Sequence, residues 1–222
     1  MSTASRTGGQ ALVAALKTNK VDTVFCVPGE SYLAALDALY DAGNEIRAIT
    51  CRQEGGAAYM AEAYAKATGR PGVLLVTRGP GACHATSGVH TAFQDSTPMV
   101  VLIGQVARDQ EYREAFQELD YRQFYGPLCK WVAQIESADR VPELMNQAFQ
   151  RAMSGRPGPV ALALPEDMLR DLTQAPDAAP AVAVRPEVNA GTMNKIREHL
   201  HSAKAPIMIV GGGAWTNDAC AD

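Results

Sequence analysis

The chain has 222 residues, 47% of them apolar and 20% charged, with a formal charge of -4. That balance excludes a disordered chain and leaves room for one full α/β domain plus part of another. No basic run gathers counterions and no apolar stretch reaches membrane-spanning length, so neither nucleic acid nor a membrane is an expected partner.

The first residues, Met1 to Gly9, are small and polar and lack the apolar centre of a signal peptide. Gln10 to Lys17 carries apolar residues at helical spacing, and Asp22 to Val27 is a β-branched and aromatic run stopped by Pro28-Gly29. Ser31 is placed to cap the next helix, whose expected buried stripe is Leu33, Leu36, Leu39 and Tyr40. Glu45 to Cys51 reads as a strand, Glu54 to Thr68 as a helix ended by Gly69, and Gly72 to Thr77 as a strand buried on both faces. Arg78-Gly79-Pro80-Gly81 turns the chain into a helix reaching about Phe93. Met99 to Ile103 is a second buried strand, closed by Gly104-Gln105. A short helix over 115–125, a strand over Lys130 to Ile135, a helix over Pro142 to Met153 and a strand over Pro159 to Leu164 complete the series.

This alternation predicts an α/β fold, a doubly wound and mainly parallel sheet with helices on both faces. The first domain is expected over 1–172. The Ala- and Pro-rich stretch 173–190 reads as a linker. Residues 191–222 read as the start of a second α/β domain: a helix at about 191–203, a strand at Pro206 to Val210, and Gly211-Gly212-Gly213. That strand has nothing in the chain to pair with, so the sequence is expected to be the front part of a longer protein.

Chemistry in an open parallel sheet sits beyond the carboxyl ends of the strands. The loops there carry Pro28-Gly29-Glu30, Arg52-Gln53-Glu54, Arg78-Gly79-Pro80-Gly81 and Gly104-Gln105. Glu54 has two readings. One is a first-turn carboxylate favoured by the helix dipole, which leads on spacing alone. The other is an acid at the mouth of a ligand site. Ala57, Ala58, Ala61, Ala63, Ala65 and Ala67 give the Glu54 helix small residues on every side. That suits either tight packing on its own sheet or a subunit interface. Gly79 to His84 starts like a dinucleotide fingerprint and fails it at His84. His84 and His90 read as surface or packed helix residues. The five cysteines (Cys26, Cys51, Cys83, Cys129, Cys220) are dispersed and read as reduced thiols, hence a cytoplasmic setting. With four histidines they make no metal constellation, so no metal site is expected in this chain.

Arg52-Gln53-Glu54-Gly55-Gly56-Ala57-Ala58, Ala61-Glu62-Ala63-Tyr64-Ala65 and Gly69-Arg70-Pro71-Gly72-Val73 together resemble the pyrimidine-binding domain of thiamine diphosphate enzymes. Val27-Pro28-Gly29, Gly79-Pro80-Gly81-Ala82, Asp95-Ser96-Thr97-Pro98 and Gly104-Gln105-Val106 agree in order and spacing. Phe116-Gln117-Glu118, Lys130 and Ser154 to Val160 make the acetolactate synthase branch the most similar. The resemblance spans residue 8 to about 170. It implies that Glu54 hydrogen-bonds the pyrimidine nitrogen N1′ of thiamine diphosphate and helps the cofactor lose its thiazolium proton. The activated cofactor then decarboxylates a 2-oxo acid such as pyruvate and joins the remainder to a second carbonyl.

The same resemblance implies catalytic roles for Glu54, Gln117 and Lys130, and cofactor contacts from Pro28, Gly29, Glu30, Gly79, Pro80, Gly81 and Ala82. It also implies Mg2+ held through a C-terminal domain whose Gly-Asp-Gly motif this sequence lacks, and leaves room for FAD at Gly211-Gly212-Gly213. A homodimer or homotetramer with the site shared between subunits is expected. The chain departs from the branch at Glu30, where Gly is usual, at Cys83-His84, where Thr-Asn is usual, and at Ala107, where Pro is usual. A glyoxylate carboligase of the family lacks the glutamate, so Glu54 argues against that member. Competing readings are a non-catalytic binding or regulatory domain, a 2-oxo acid decarboxylase, and a small subunit of a split enzyme.

Overall fold

The structure is a computed structural model that describes residues 5–209, 211 and 220–221. A two-residue strand β1 (Arg6–Thr7) leads into helix α1 (Gly8–Thr18). Thr7 caps α1: its hydroxyl accepts from the Gln10 N–H at 3.1 Å, and the Gln10 side chain accepts from the Thr7 N–H at 2.9 Å. The helix therefore starts two residues earlier than its apolar spacing suggests. Then come β2 (Thr23–Cys26), α2 (Leu33–Asp41), β3 (Arg47–Thr50), α3 (Glu54–Thr68), β4 (Gly72–Val76), α4 (Pro80–Gln94) and β5 (Met99–Gln105). After them run α5 (Tyr121–Tyr125), β6 (Trp131–Gln134), α6 (Val141–Met153), β7 (Pro159–Pro165), β8 (Leu172–Thr173) and α7 (Ala190–Ser202).

Six strands form one parallel sheet in the order β3-β2-β4-β5-β7-β6, and β1 pairs antiparallel with β8. Side chains alternate along each strand, so the sheet buries two separate cores. Val24, Val73, Leu75, Val100, Leu102 and Leu162 face α1, α2 and α6. Phe25, Leu74, Val76, Val101, Ile103 and Ala163 face α3, α4 and α5. β4, β5 and β7 are buried along their whole length, which explains their near-continuous apolar runs.

Three expectations about helices are corrected. Ser31 does not cap α2. Its hydroxyl is engaged by the Thr77 hydroxyl at 2.7 Å and by the Arg78 N–H at 3.3 Å. Leu33 and Tyr40 do not belong to a buried stripe: they are exposed, and α2 buries Ala35, Ala38 and Leu39. Small residues are needed there because α1 comes close; a Cβ on Gly9 would lie 2.4 Å from the Ala34 carbonyl oxygen. The expected helix over 115–125 shrinks to Tyr121–Tyr125, since Glu114 and Gln117 have positive φ and Asp120 caps the helix. The stretch 174–189 has no helix or strand, yet it is tied to the first domain. The Ala181 N–H donates to the Asn19 side chain and the Val184 N–H to the Ser154 hydroxyl. No strand forms over the described residues 206–209; Val210, Gly212 and Gly213 lie outside the described residues.

Candidate active site

The strand order places a topological switch point between β2 and β4. The chain leaves β2 for β3 on one side, then crosses back to β4 on the other. The loops after these two strands, around 27–32 and 77–80, pack on one another through the Ser31 and Thr77 hydroxyls at 2.7 Å, and the carboxyl edge around them is where a sheet of this kind forms its ligand crevice.

Glu54 opens α3 at this edge. Gln53 caps the helix, its side-chain oxygen accepting from the Gly56 N–H at 2.7 Å. The Glu54 side chain is only 12% exposed. One carboxylate oxygen, Oε2, lies 3.1 Å from His84 Nδ1 on α4. The other, Oε1, faces the turn into α4: it lies 3.4 Å from where a Cβ on Gly81 would stand. A side chain at 81 would thus fill the space in front of the acid.

The Gly79 turn is held by Tyr121 and Gln117. Gly79 adopts φ 55° and ψ -112°, a left-handed conformation that favours glycine. Its N–H donates to the Tyr121 hydroxyl at 2.9 Å. Burial pushes the Tyr121 phenol up to about 12, so the hydroxyl stays neutral at physiological pH. The Gln117 backbone covers Gly79, and a Cβ on Gly79 would lie 2.8 Å from both the Gln117 Cβ and its carbonyl oxygen. Gln117 itself has φ 65°. Glu118 fastens that strained loop by accepting from the Tyr112 N–H at 2.6 Å and the Ala115 N–H at 3.1 Å.

Arg78 ties these loops together. Its guanidinium donates to the Phe116 carbonyl oxygen at 3.2 Å, to Glu166 at 3.2 Å and to Glu30 at 3.1 Å. With Leu33, Ala34 and Arg170, the groups of Arg78, Glu30 and Glu166 line a cleft beside the crevice. Gly29 packs on Thr77, where a Cβ would lie 2.5 Å from the Thr77 Cβ, and Pro28 is exposed beside it. Ala82 is fully buried, and its carbonyl accepts from the Tyr125 hydroxyl at 2.6 Å.

The structure thus brings Glu54, Gly79, Pro80, Gly81, Ala82 and Gln117 together, with Gly29 and Glu30 on the neighbouring loop. It places Lys130 elsewhere. Lys130 precedes β6, at the opposite edge of the sheet from Glu54. Its ammonium donates to the carbonyls of Arg151 and, at 2.7 Å, Ser154 at the end of α6, and burial lowers its pKa. Within this chain it is a helix-end cap rather than part of the crevice. Four residues to which the sequence reading gave no role in the site shape it: Arg78, Glu118, Tyr121 and His84. Tyr121 and His84 carry no local signal, because their partners Gly79 and Glu54 lie 42 and 30 residues away.

The small residues of α3 also sort themselves. Ala57, Ala58, Ala61 and Ala65 are buried, and Gly72 sits so close that a Cβ there would lie 2.1 Å from the Ala61 carbonyl oxygen. Gly88 of α4 meets Ala58, with 2.5 Å between its would-be Cβ and the Ala58 Cβ. Of the two readings of these small residues, packing within the chain is the one that Ala61 follows, since it is fully buried against Gly72. Tyr59, Met60 and Ala63 form the outward face.

Residues 6–124 match the family described as thiamine pyrophosphate enzyme, N-terminal TPP binding domain. The chain is 39% identical over 215 residues to the acetolactate synthase isozyme 3 large subunit of Escherichia coli (strain K12), covering 94% of this chain and 37% of that protein. It is 37% identical over 218 residues to the mitochondrial acetolactate synthase catalytic subunit of Saccharomyces cerevisiae, covering 93% of this chain and 32% of that one. It is 36% identical over 219 residues to a probable acetolactate synthase large subunit of Methanococcus aeolicus, covering 96% of this chain and 36% of that one. The chain spans about a third of the length of these curated relatives. An acid on a helix start, facing a glycine turn at the switch point of a parallel sheet, accords with that match, and the chain belongs to the thiamine pyrophosphate enzyme family through its N-terminal TPP binding domain.

Proposed function

We propose that this chain forms the pyrimidine side of the active site in an acetolactate synthase-like carboligase that decarboxylates a 2-oxo acid such as pyruvate. The observation that carries the proposal is Glu54: a largely buried carboxylate with one oxygen turned toward a turn whose glycine leaves space in front of it. The donor set suits an aminopyrimidine, which needs a carboxylate for a ring nitrogen and close backbone approach to a flat face. When bound, thiamine diphosphate supplies the carbanion chemistry.

The chain's own residues supply orientation and proton control. Glu54, whose side chain is only 12% exposed, would hold or give up a proton at Oε1. Gly79 and Gly81 let the backbone approach where any side chain would intrude. Tyr121, Arg78 and Glu118 keep the Gly79 turn and the Gln117 loop in fixed register, so that Gln117 borders the same crevice. Magnesium and the diphosphate would be held elsewhere in the holoenzyme. A shared site in a homo-oligomer would place the Tyr59, Met60 and Ala63 face of α3 at the contact. A cytoplasmic setting fits the dispersed cysteines.

The test is to supply the holoenzyme with thiamine diphosphate, Mg2+ and pyruvate, with and without a second 2-oxo acid. Release of CO2 with formation of a new carbon–carbon bond is expected. Release of CO2 and free aldehyde alone would make it a decarboxylase, and no consumption of pyruvate would overturn the reading.

A further inference from the structure

We propose that His84 is a positioning residue for the Glu54 carboxylate. It holds Oε2 so that Oε1 stays turned toward the Gly79–Ala82 loop. The proposal rests on the reading of Glu54 given above and assigns the group that aims it.

The helix packing fixes the pairing. Gly88 on Ala58 lets α3 and α4 come into close contact, and the His84 carbonyl oxygen lies 3.2 Å from where a Cβ on Gly55 would stand. That register sets the His84 ring opposite Glu54, with Nδ1 and Oε2 3.1 Å apart. A glutamate has three rotatable side-chain bonds, so its carboxylate needs a partner to fix its direction. The two oxygens of Glu54 have different neighbours: His84 for Oε2, the Gly81 turn for Oε1. For Oε2 to accept this hydrogen bond, the imidazole carries its proton on Nδ1. The ring thereby fixes which oxygen remains for a ligand. His84 is 59% exposed while Glu54 is 12% exposed, so the histidine stands at the entrance and the acid behind it.

Two measurements test this. The first is 15N NMR of the cofactor-free protein at a pH where the imidazole is neutral. His84 should show the Nδ1–H tautomer, and Glu54→Leu, which removes the acceptor, should move it toward Nε2–H. An unchanged tautomer would overturn the proposal. The second is deuterium exchange at the thiazolium carbon of thiamine diphosphate bound to the holoenzyme. His84→Leu should slow exchange about tenfold, as expected for loss of one hydrogen bond to a charged group. His84→Asn, whose amide nitrogen can stand where Nδ1 does, should retain most of the rate. In a Glu54→Gln background, His84→Leu should add nothing. If Glu54→Gln slows exchange while His84→Leu matches the parent, the positioning role is refuted and the function stands. If Glu54→Gln leaves exchange unchanged, the reading of the site itself fails, and the proposal with it.

Discussion

Two neighbouring glycines should respond to alanine in opposite ways. Gly79 has φ 55° and ψ -112°, and a Cβ there would meet the Gln117 Cβ and carbonyl oxygen at 2.8 Å. Forcing alanine into that backbone region costs about 1–3 kcal/mol. Overpacking against a backbone that cannot swing aside adds about 1–3 kcal/mol. Gly79→Ala should therefore lose about 2–6 kcal/mol, which lowers the melting temperature by on the order of 10 °C for a domain of this size. Gly81 differs. It lies within α4, where alanine is favoured over glycine by about 1 kcal/mol. The nearest atoms to its Cβ would be the Thr77 methyl at 2.7 Å, Glu54 Oε1 at 3.4 Å and Thr77 Cβ at 3.6 Å. Gly81→Ala should stay within about 1 kcal/mol of the parent, since helix propensity offsets the shift of Thr77. It should still lose most activity, because its methyl covers the acid. Urea unfolding followed by far-ultraviolet circular dichroism, beside cofactor titration of the holoenzyme, separates the two effects. The reasoning is refuted if Gly79→Ala unfolds at the parent's urea concentration, or if Gly81→Ala binds cofactor and turns over normally.

Three further outcomes follow from the packing and the charges. Ala61→Trp should destabilise the fold by several kcal/mol without a specific loss of self-association, because Ala61 is fully buried against Gly72 on its own sheet. Met60→Asp, on the outward face, should weaken self-association with little change in unfolding, which sedimentation of the holoenzyme would show. Arg78→Met should cost about 1–3 kcal/mol in urea unfolding, since it strands the Phe116 carbonyl and two carboxylates. The Tyr64 hydroxyl and the Arg70 guanidinium hold the Asp22 carboxyl down to about 2. A free aspartate titrates near ~3.9, so this contribution is complete above that pH and is lost as the pH falls through about 2. Asp22→Asn should be less stable than the parent at pH 7, and the difference should close toward pH 2; a constant gap would contradict the assignment.

The sheet was legible because its physics is local. Leu74, Val76, Val101 and Ile103 belong to strands buried on both faces, and such strands show as unbroken apolar runs. α3 was legible to the residue, since Gly69 stops it and takes φ 67°, while its Gln53 cap shows only in the structure. Glu54 and the Gly79 turn could be singled out because strand-end loops are where such a fold binds ligands. Other features depend on contacts far apart in sequence. Nothing near Ser31 shows that Thr77 and Arg78 claim its hydroxyl, and nothing near Leu33 shows that Gly9 brings α1 against the smaller residues of α2. The positive φ values of Glu114 and Gln117 broke a helix that composition favoured. His84 looks like a surface histidine until α3 and α4 are packed together. Lys130 carries the right residue type for a substrate contact, but its strand delivers it to the far edge of the sheet.

The central claim is that Glu54 governs loss of the proton from the cofactor's thiazolium carbon. Its most direct test is the rate of deuterium exchange at that carbon in the holoenzyme and its Glu54→Gln variant, measured by acid quench and proton NMR. Glutamine keeps the size and the hydrogen-bonding reach but cannot pass a proton. The account predicts exchange slowed about a hundredfold or more in a variant that folds and binds cofactor. Exchange at the parent rate would contradict it.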